Sequence, residues 1–223
     1  MYMKGKIIVI EGSTDGVGKT SQVELLVKHL KEDGYQVVTH HFPTVDSPGS
    51  SVVEEYLQGK LGSKEQLSPY AINSFYAIDR LYTYITELKE AYEAGKIIVL
   101  DRYTTSSMVY QSASLSIDKR DDFIEWVKNY EYQLLGLPKP DMVLYLSVEE
   151  ATAAVLRKER TTSDLHEKDQ IFLERVYQNS QWIAKREHWE IINCLDENNS
   201  LLSKETIHHL LYEIVMNRLK EVR

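Results

Sequence analysis

The chain has 223 residues, 43% of them apolar, with 26 lysines and arginines against 34 aspartates and glutamates and a net charge of −8. That length suits one α/β domain burying roughly 70% of its unfolded surface, and the composition argues against disorder. The acidic balance excludes nucleic-acid binding through overall charge but not a local basic pocket, and the one cysteine, Cys194, excludes an intrachain disulfide and fits a reducing compartment. The longest apolar runs, IIVI, IIVL and MVLYL, fall far short of the ~20 residues that span a bilayer. The opening MYMKGKIIVIEG has too short an apolar core for a secretory signal. The expectation is one domain over 1–223, cytoplasmic, with no membrane and no nucleic-acid partner.

In chain order, Ile7–Ile10 is the first short apolar run. Lys19–Glu32 follows with Val23, Leu26, Val27 and Leu30 on one helical face. Gln36–Thr39 is the second run. Pro69 to Ala94 reads as one long helix, with Pro69 in its first turn and Gly95 after its end. Ile97–Leu100 is the third run, and Phe123–Leu135 a further helix. Met142–Leu146 is the fourth run; Glu149–Glu159 and Ile171–Arg186 have helical spacing. A weaker strand at Glu190–Asn193 and a helix at Lys204–Lys220 complete the chain. Apolar strands rich in Ile and Val are buried on both faces of a parallel sheet. Alternation with helices gives a doubly wound α/β fold of about five strands, its site at the carboxyl ends of the strands.

The first strand runs into EGSTDGVGKTS, Glu11–Ser21, and then a helix. Such a loop directs backbone N–H groups at a phosphate, helped by the helix dipole. The donor-phosphate cradle is read as Gly12, Ser13, Thr14, Gly16, Val17, Gly18, Lys19, Thr20 and Ser21. Lys19 reaches the β/γ-phosphates and the Thr20 hydroxyl holds Mg²⁺. The strict phosphate-loop motif has glycine at position 13; here that residue is Ser and the glycine is Gly12, so the loop is one residue longer. Asp15 would repel phosphate, which suits a carboxylate facing a second substrate, for example a sugar hydroxyl. The third strand ends in Asp101-Arg102-Tyr103. Asp101 is placed to accept from Mg²⁺-bound water. Arg102 is placed to clamp a phosphoryl group.

The stretch Val99–Gln111, VLDRYTTSSMVYQ, resembles the signature segment of thymidylate kinases. The segments HHFPTVDSPGSSVVEEYLQGKLG, SPYAINSFYAIDR, LPKPDMVLYLSV, and DLHEKD with IFLERVYQ resemble further segments of that family, in order along nearly the whole chain. The resemblance implies a phosphate-loop kinase with a short lid at about 157–168, using ATP with Mg²⁺ on a deoxynucleoside monophosphate, dTMP. It implies that Asp15 meets the 3′-hydroxyl and Arg102 the acceptor phosphate. Tyr76 stacks on the base and Arg80, one turn on, bonds its edge. Ser107 and Gln111 contact the base or sugar, Tyr110 blocks the 2′ position, and Phe42 and Pro43 line the pocket. Arg157 or Arg160 in the lid supplies a donor-side cation that the loop lacks, and the protein is a homodimer.

Two departures accompany the resemblance. Thr44-Val45-Asp46 follows the Phe-Pro pair where many relatives carry an arginine, and Ser147 stands where Asp is common. Of the adjacent Phe75 and Tyr76, only one is expected to face the pocket. His40 and His41 are read as pocket-edge or surface residues. The alternatives are a deoxynucleoside kinase, which needs a general base after the second strand, where HHFP offers no Glu, and a nucleotide binder without turnover.

Overall fold

The structure, a computed structural model, describes residues 4–62, 66–158 and 169–221. Strands β1 (Lys6–Gly12), β2 (Val37–His41), β3 (Ile97–Asp101), β4 (Met142–Ser147) and β5 (Glu190–Asn193) form one parallel sheet in the order β2-β3-β1-β4-β5. The expected five-stranded doubly wound α/β architecture is therefore present. Because β1 lies between β3 and β4, successive connections leave it in opposite directions, which opens a crevice at its carboxyl end. Register sets what meets there: Ile10 pairs with Asp101 and Gly12 with Leu146.

Successive residues of a strand point to opposite faces. Ile8, Ile10, Val99 and Leu144 pack against Val23, Leu26 and Leu30 of α1 (Lys19–Glu32) and Leu211 and Val215 of α9 (Lys204–Glu221). Ile7, Val9, Ile98 and Leu100 face the other way, toward Phe42 and Tyr103. Tyr145 joins Met108, Phe123, Val176 and Ile183 on that side. Gln22 donates from Nε2 to the Lys204 carbonyl at 2.8 Å, fastening the start of α9 beside α1.

The long helix at Pro69–Ala94 is continuous but not uniform. It comprises α3 (Pro69–Thr83), a π-helical stretch Tyr84–Leu88 and α4 (Lys89–Glu93). Ser68 accepts from the Ala71 N–H at its start, and Gly95 ends it at φ 79°. The helix expected from Phe123 begins earlier, as α6 (Ile117–Val127), and continues as a second π-helical segment, Lys128–Leu134. Helices α7 (Glu150–Lys158) and α8 (Gln170–Arg186) lie where spacing placed them. Periodicity alone missed α5 (Thr104–Ser112), and α2 (Ser51–Leu57) lies within the segment HHFPTVDSPGSSVVEEYLQGKLG. No helix among the described residues is long and apolar enough to cross a membrane.

Candidate active site

The loop after β1 is anchored on one side and open on the other. Ser13 donates its N–H to the Leu146 carbonyl (2.9 Å) and accepts at Oγ from the Val148 N–H (3.2 Å). Ser13, expected in the phosphate cradle, thus also ties the loop to β4 and the residue that follows it. Gly16 and Gly18 have φ of 86° and 102°, a region L-residues rarely adopt. Helix α1 starts directly after Gly18 with no side-chain cap and no acidic residue in its first turn. Its N–H groups are thus left to an anion. Within the loop the Thr14 hydroxyl is buried with no partner among the described residues.

Gly12 is required by crowding. A β-carbon there would lie 2.6 Å from Val17 Cγ1 and 3.2 Å from Lys19 Cγ. Val17 is buried and β-branched, so it rotates poorly. Gly12→Ala is expected to displace Lys19 and lower kcat/KM for ATP by ~10-fold or more, since small misplacements are costly in such sites; steady-state kinetics with varied ATP measures this.

Lys19, itself buried, donates from Nζ to Asp15 Oδ1 at 2.9 Å and to the Thr14 carbonyl at 3.4 Å. Arg102 also pairs with Asp15 through Nη2. Tyr110 donates from its hydroxyl to Asp15 Oδ2 at 3.4 Å, and its ring lies 5.5 Å beneath the Arg102 guanidinium. Burial, then the Asp15 carboxylate, push the Tyr110 phenol well above its usual range, so it remains a proton donor. Arg102 itself has φ 66°. A left-handed L-residue costs roughly 1–2 kcal/mol; here it turns the chain sharply from β3 into α5 and lays the side chain over the loop.

Asp101 ends β3 beside this cluster. Its Oδ2 accepts from Thr20 Oγ1 (2.7 Å) and lies 3.2 Å from His41 Nδ1, while Oδ1 is buried without a partner among the described residues. Burial pushes the carboxyl up, but hydrogen bonds from His41 and Thr20, with Lys19 and Arg102 nearby, outweigh it and hold it below the usual range. An ionised carboxylate with a spare oxygen next to a threonine hydroxyl is a donor set that fits Mg²⁺ through water.

A cavity of about 150 Å³ opens beside Asp15 and Arg102. Every residue expected on the acceptor side lines it: Asp15, Phe42, Pro43, Tyr76, Arg80, Arg102, Ser107, Tyr110 and Gln111. Tyr76 is the one of the aromatic pair that faces the cavity, whereas Phe75 packs on Tyr56. Gln111 Oε1 is buried with no partner among the described residues. Arg80 is buried and held by Glu131, and it donates from Nη2 to Ser107 Oγ at 2.9 Å. Sequence reasoning missed Leu57, Tyr103, Ser106 and Leu173, which also line the cavity. It missed Glu131 as well, whose signal was a Glu four residues after the buried Val127 on an apolar stripe. Buried Glu11 accepts from Thr105 (2.7 Å) and Ser106 (2.6 Å), drawing α5 onto β1. His40 lies off the cavity, 2.9 Å from Thr44 Oγ1. Arg160 and the rest of 159–168, and the side chain of Arg157, lie outside the described residues.

A phosphate cradle at a helix N-terminus, facing a second cavity across an Asp–Arg elbow, places the chain in the phosphate-loop class of nucleotide kinases. The family model described as thymidylate kinase matches residues 10–205, and the chain belongs to the thymidylate kinase family. The thymidylate kinase of Exiguobacterium sp. is 29% identical over 98% of both chains. That of Clavibacter sepedonicus is 33% identical over 83% of this chain and 84% of its own. In fold, the structure of Candida albicans thymidylate kinase matches with a TM-score of 0.72 at 22% identity, covering 96% of this chain and 92% of that one.

Proposed function

We propose that the protein transfers the γ-phosphoryl group of ATP to the 5′-phosphate of dTMP, giving ADP and dTDP. The observation that carries the reading is the Asp15 carboxylate, bound to Lys19 on the donor side and to Arg102 on the acceptor side. The two substrates' phosphates would meet where those cations now share one anion.

In this reading the α1 amides and Lys19 hold the donor phosphates and Arg102 the acceptor phosphate. When the phosphates take the cations, Asp15 turns to the sugar hydroxyl. Tyr76 stacks on the base; Arg80 and Gln111 meet its edge. Thr20 and Asp101 would hold Mg²⁺, which when bound offsets the charge of the donor phosphates. Catalysis here is positioning and charge compensation rather than covalent chemistry. An acceptor phosphate is already ionised at neutral pH, so no general base is needed. That point separates this reading from a nucleoside kinase: the one carboxylate among the described cavity-lining residues is Asp15, already tied to two cations.

The same reading extends to one kinase domain over the chain, a cytoplasmic setting, a donor-side cation from Arg157 or Arg160, and a homodimer. Exposed Ile78, Tyr82 and Ile85 form a stripe along the long helix that suits a second copy. The test of function is ADP release with ATP and Mg²⁺ across nucleoside monophosphates and free nucleosides. The expected best acceptor is dTMP; activity on thymidine with none on dTMP would overturn the assignment.

A further inference from the structure

Glu131 is fully buried and has no place in the chemistry above. It sits within the π-helical segment Lys128–Leu134, a local widening that is frequent at functional sites. Four donors from α3 and α5 converge on it. Arg80 Nε (2.7 Å) and Thr104 Oγ1 (3.1 Å) reach Oε2, while Arg80 Nη2 (2.7 Å) and Asn73 Nδ2 (3.1 Å) reach Oε1. A carboxylate offers about four acceptor positions, so this one is saturated.

The consequence falls on Arg80. Its Nε and one Nη2 hydrogen go to Glu131, and the other Nη2 hydrogen goes to Ser107. Its Nη1 group has only a long contact, 3.5 Å to the Tyr103 carbonyl. A guanidinium is rigid, planar and donor-only. With one edge locked in a two-point fork, its plane and the direction of its other edge are set by Glu131 rather than by rotamer freedom. Arg80 lines the cavity, and Nη1 is the nitrogen of its guanidinium whose hydrogens are least committed to protein acceptors.

We propose that Glu131 is a positioning residue for base selection: its fork on Arg80 presents the Nη1 edge to the cavity and so favours a pyrimidine monophosphate with a carbonyl oxygen at the ring edge over one with an amino group there. This rests on the nucleoside monophosphate kinase reading. A carbonyl completes the donor; an amino group leaves two donors opposed, an arrangement that buried sites reject strongly.

The experiment compares wild type with Glu131→Gln on dTMP and dUMP (carbonyl at position 4) and dCMP (amino at position 4). The amide keeps the side chain's shape but loses half of the fork. The expected result is a ~10-fold or larger fall in the carbonyl-over-amino ratio of kcat/KM, carried by the acceptor KM, with kcat and the KM for ATP changed less than ~3-fold. A merely structural Glu131 would lower the melting temperature and the amount of active enzyme while leaving that ratio alone, and this outcome overturns the proposal. Should Glu131→Gln not fold, the double variant Asn73→Ala/Thr104→Val removes one donor from each carboxylate oxygen and leaves the ion pair. It is expected to lower the same ratio ~3-fold, and an unchanged ratio there also overturns the proposal. A wild-type protein inactive on all three monophosphates would instead strike down the kinase reading itself.

Discussion

Replacing Arg102 with alanine is expected to lower kcat/KM for dTMP by at least ~10²-fold, the scale of losing one well-placed charge in a reacting site. The structure argues for the upper part of such a range. Among the described residues, only Arg80 and Arg102 bring positive charge to the cavity lining, and Arg80 is bound to Glu131. After the Phe-Pro pair this chain has Thr44, whose N–H is donated to Asp79 Oδ2 at 2.9 Å. No second cation stands in for Arg102 among the described lining residues. Arg102→Lys should recover only part of the loss, because an ammonium on a flexible stem lacks the guanidinium fork. Steady-state kinetics with varied dTMP makes the measurement; near-normal rates in the alanine variant would remove Arg102 from the mechanism.

Lys19→Ala is expected to cost at least ~10²-fold in turnover on the donor side. The Lys19 stem packs close to Gly12 and its ammonium balances Asp15, so alanine removes packing and charge together. Lys19→Met separates the two: it keeps the stem and should fold, while losing most of the activity. A methionine variant with normal turnover would show that the charge is dispensable. In either variant Asp15 keeps Arg102, so the acceptor KM should move less than kcat.

What the sequence disclosed depended on whether a segment has a face. Strand β3, buried at every position, read clearly as an unbroken apolar run. Helix α5 did not: TTSSMVYQS is buried on most sides, so no amphipathic stripe exists to be seen, and its Ser and Thr residues read locally as loop. The first turns of α6, IDKRDD, are solvent-facing and hid the helix start. The acceptor residues were legible because they sit in a distinctive ordered string, and they do gather at one cavity. The tie from Ser13 to the end of β4 was not legible, because a loop serine looks alike whether or not it holds a neighbouring strand. Glu131 stayed hidden because its meaning lies in Arg80, 51 residues away, and no spacing rule joins a carboxylate on one helix to an arginine on another.

The Asp15 bridge has one more consequence. Among the described residues, Asp15 and Asp101 set two carboxylates against Lys19 and Arg102, so the formal charges of these four cancel. A small mineral anion can settle on the α1 amides, but to reach Lys19 and Arg102 it has to displace a carboxylate already paired with both. A nucleotide can do so, because its base and sugar contribute affinity that the phosphate alone lacks. Sulfate and orthophosphate are therefore expected to compete poorly with a whole nucleotide for these two cations.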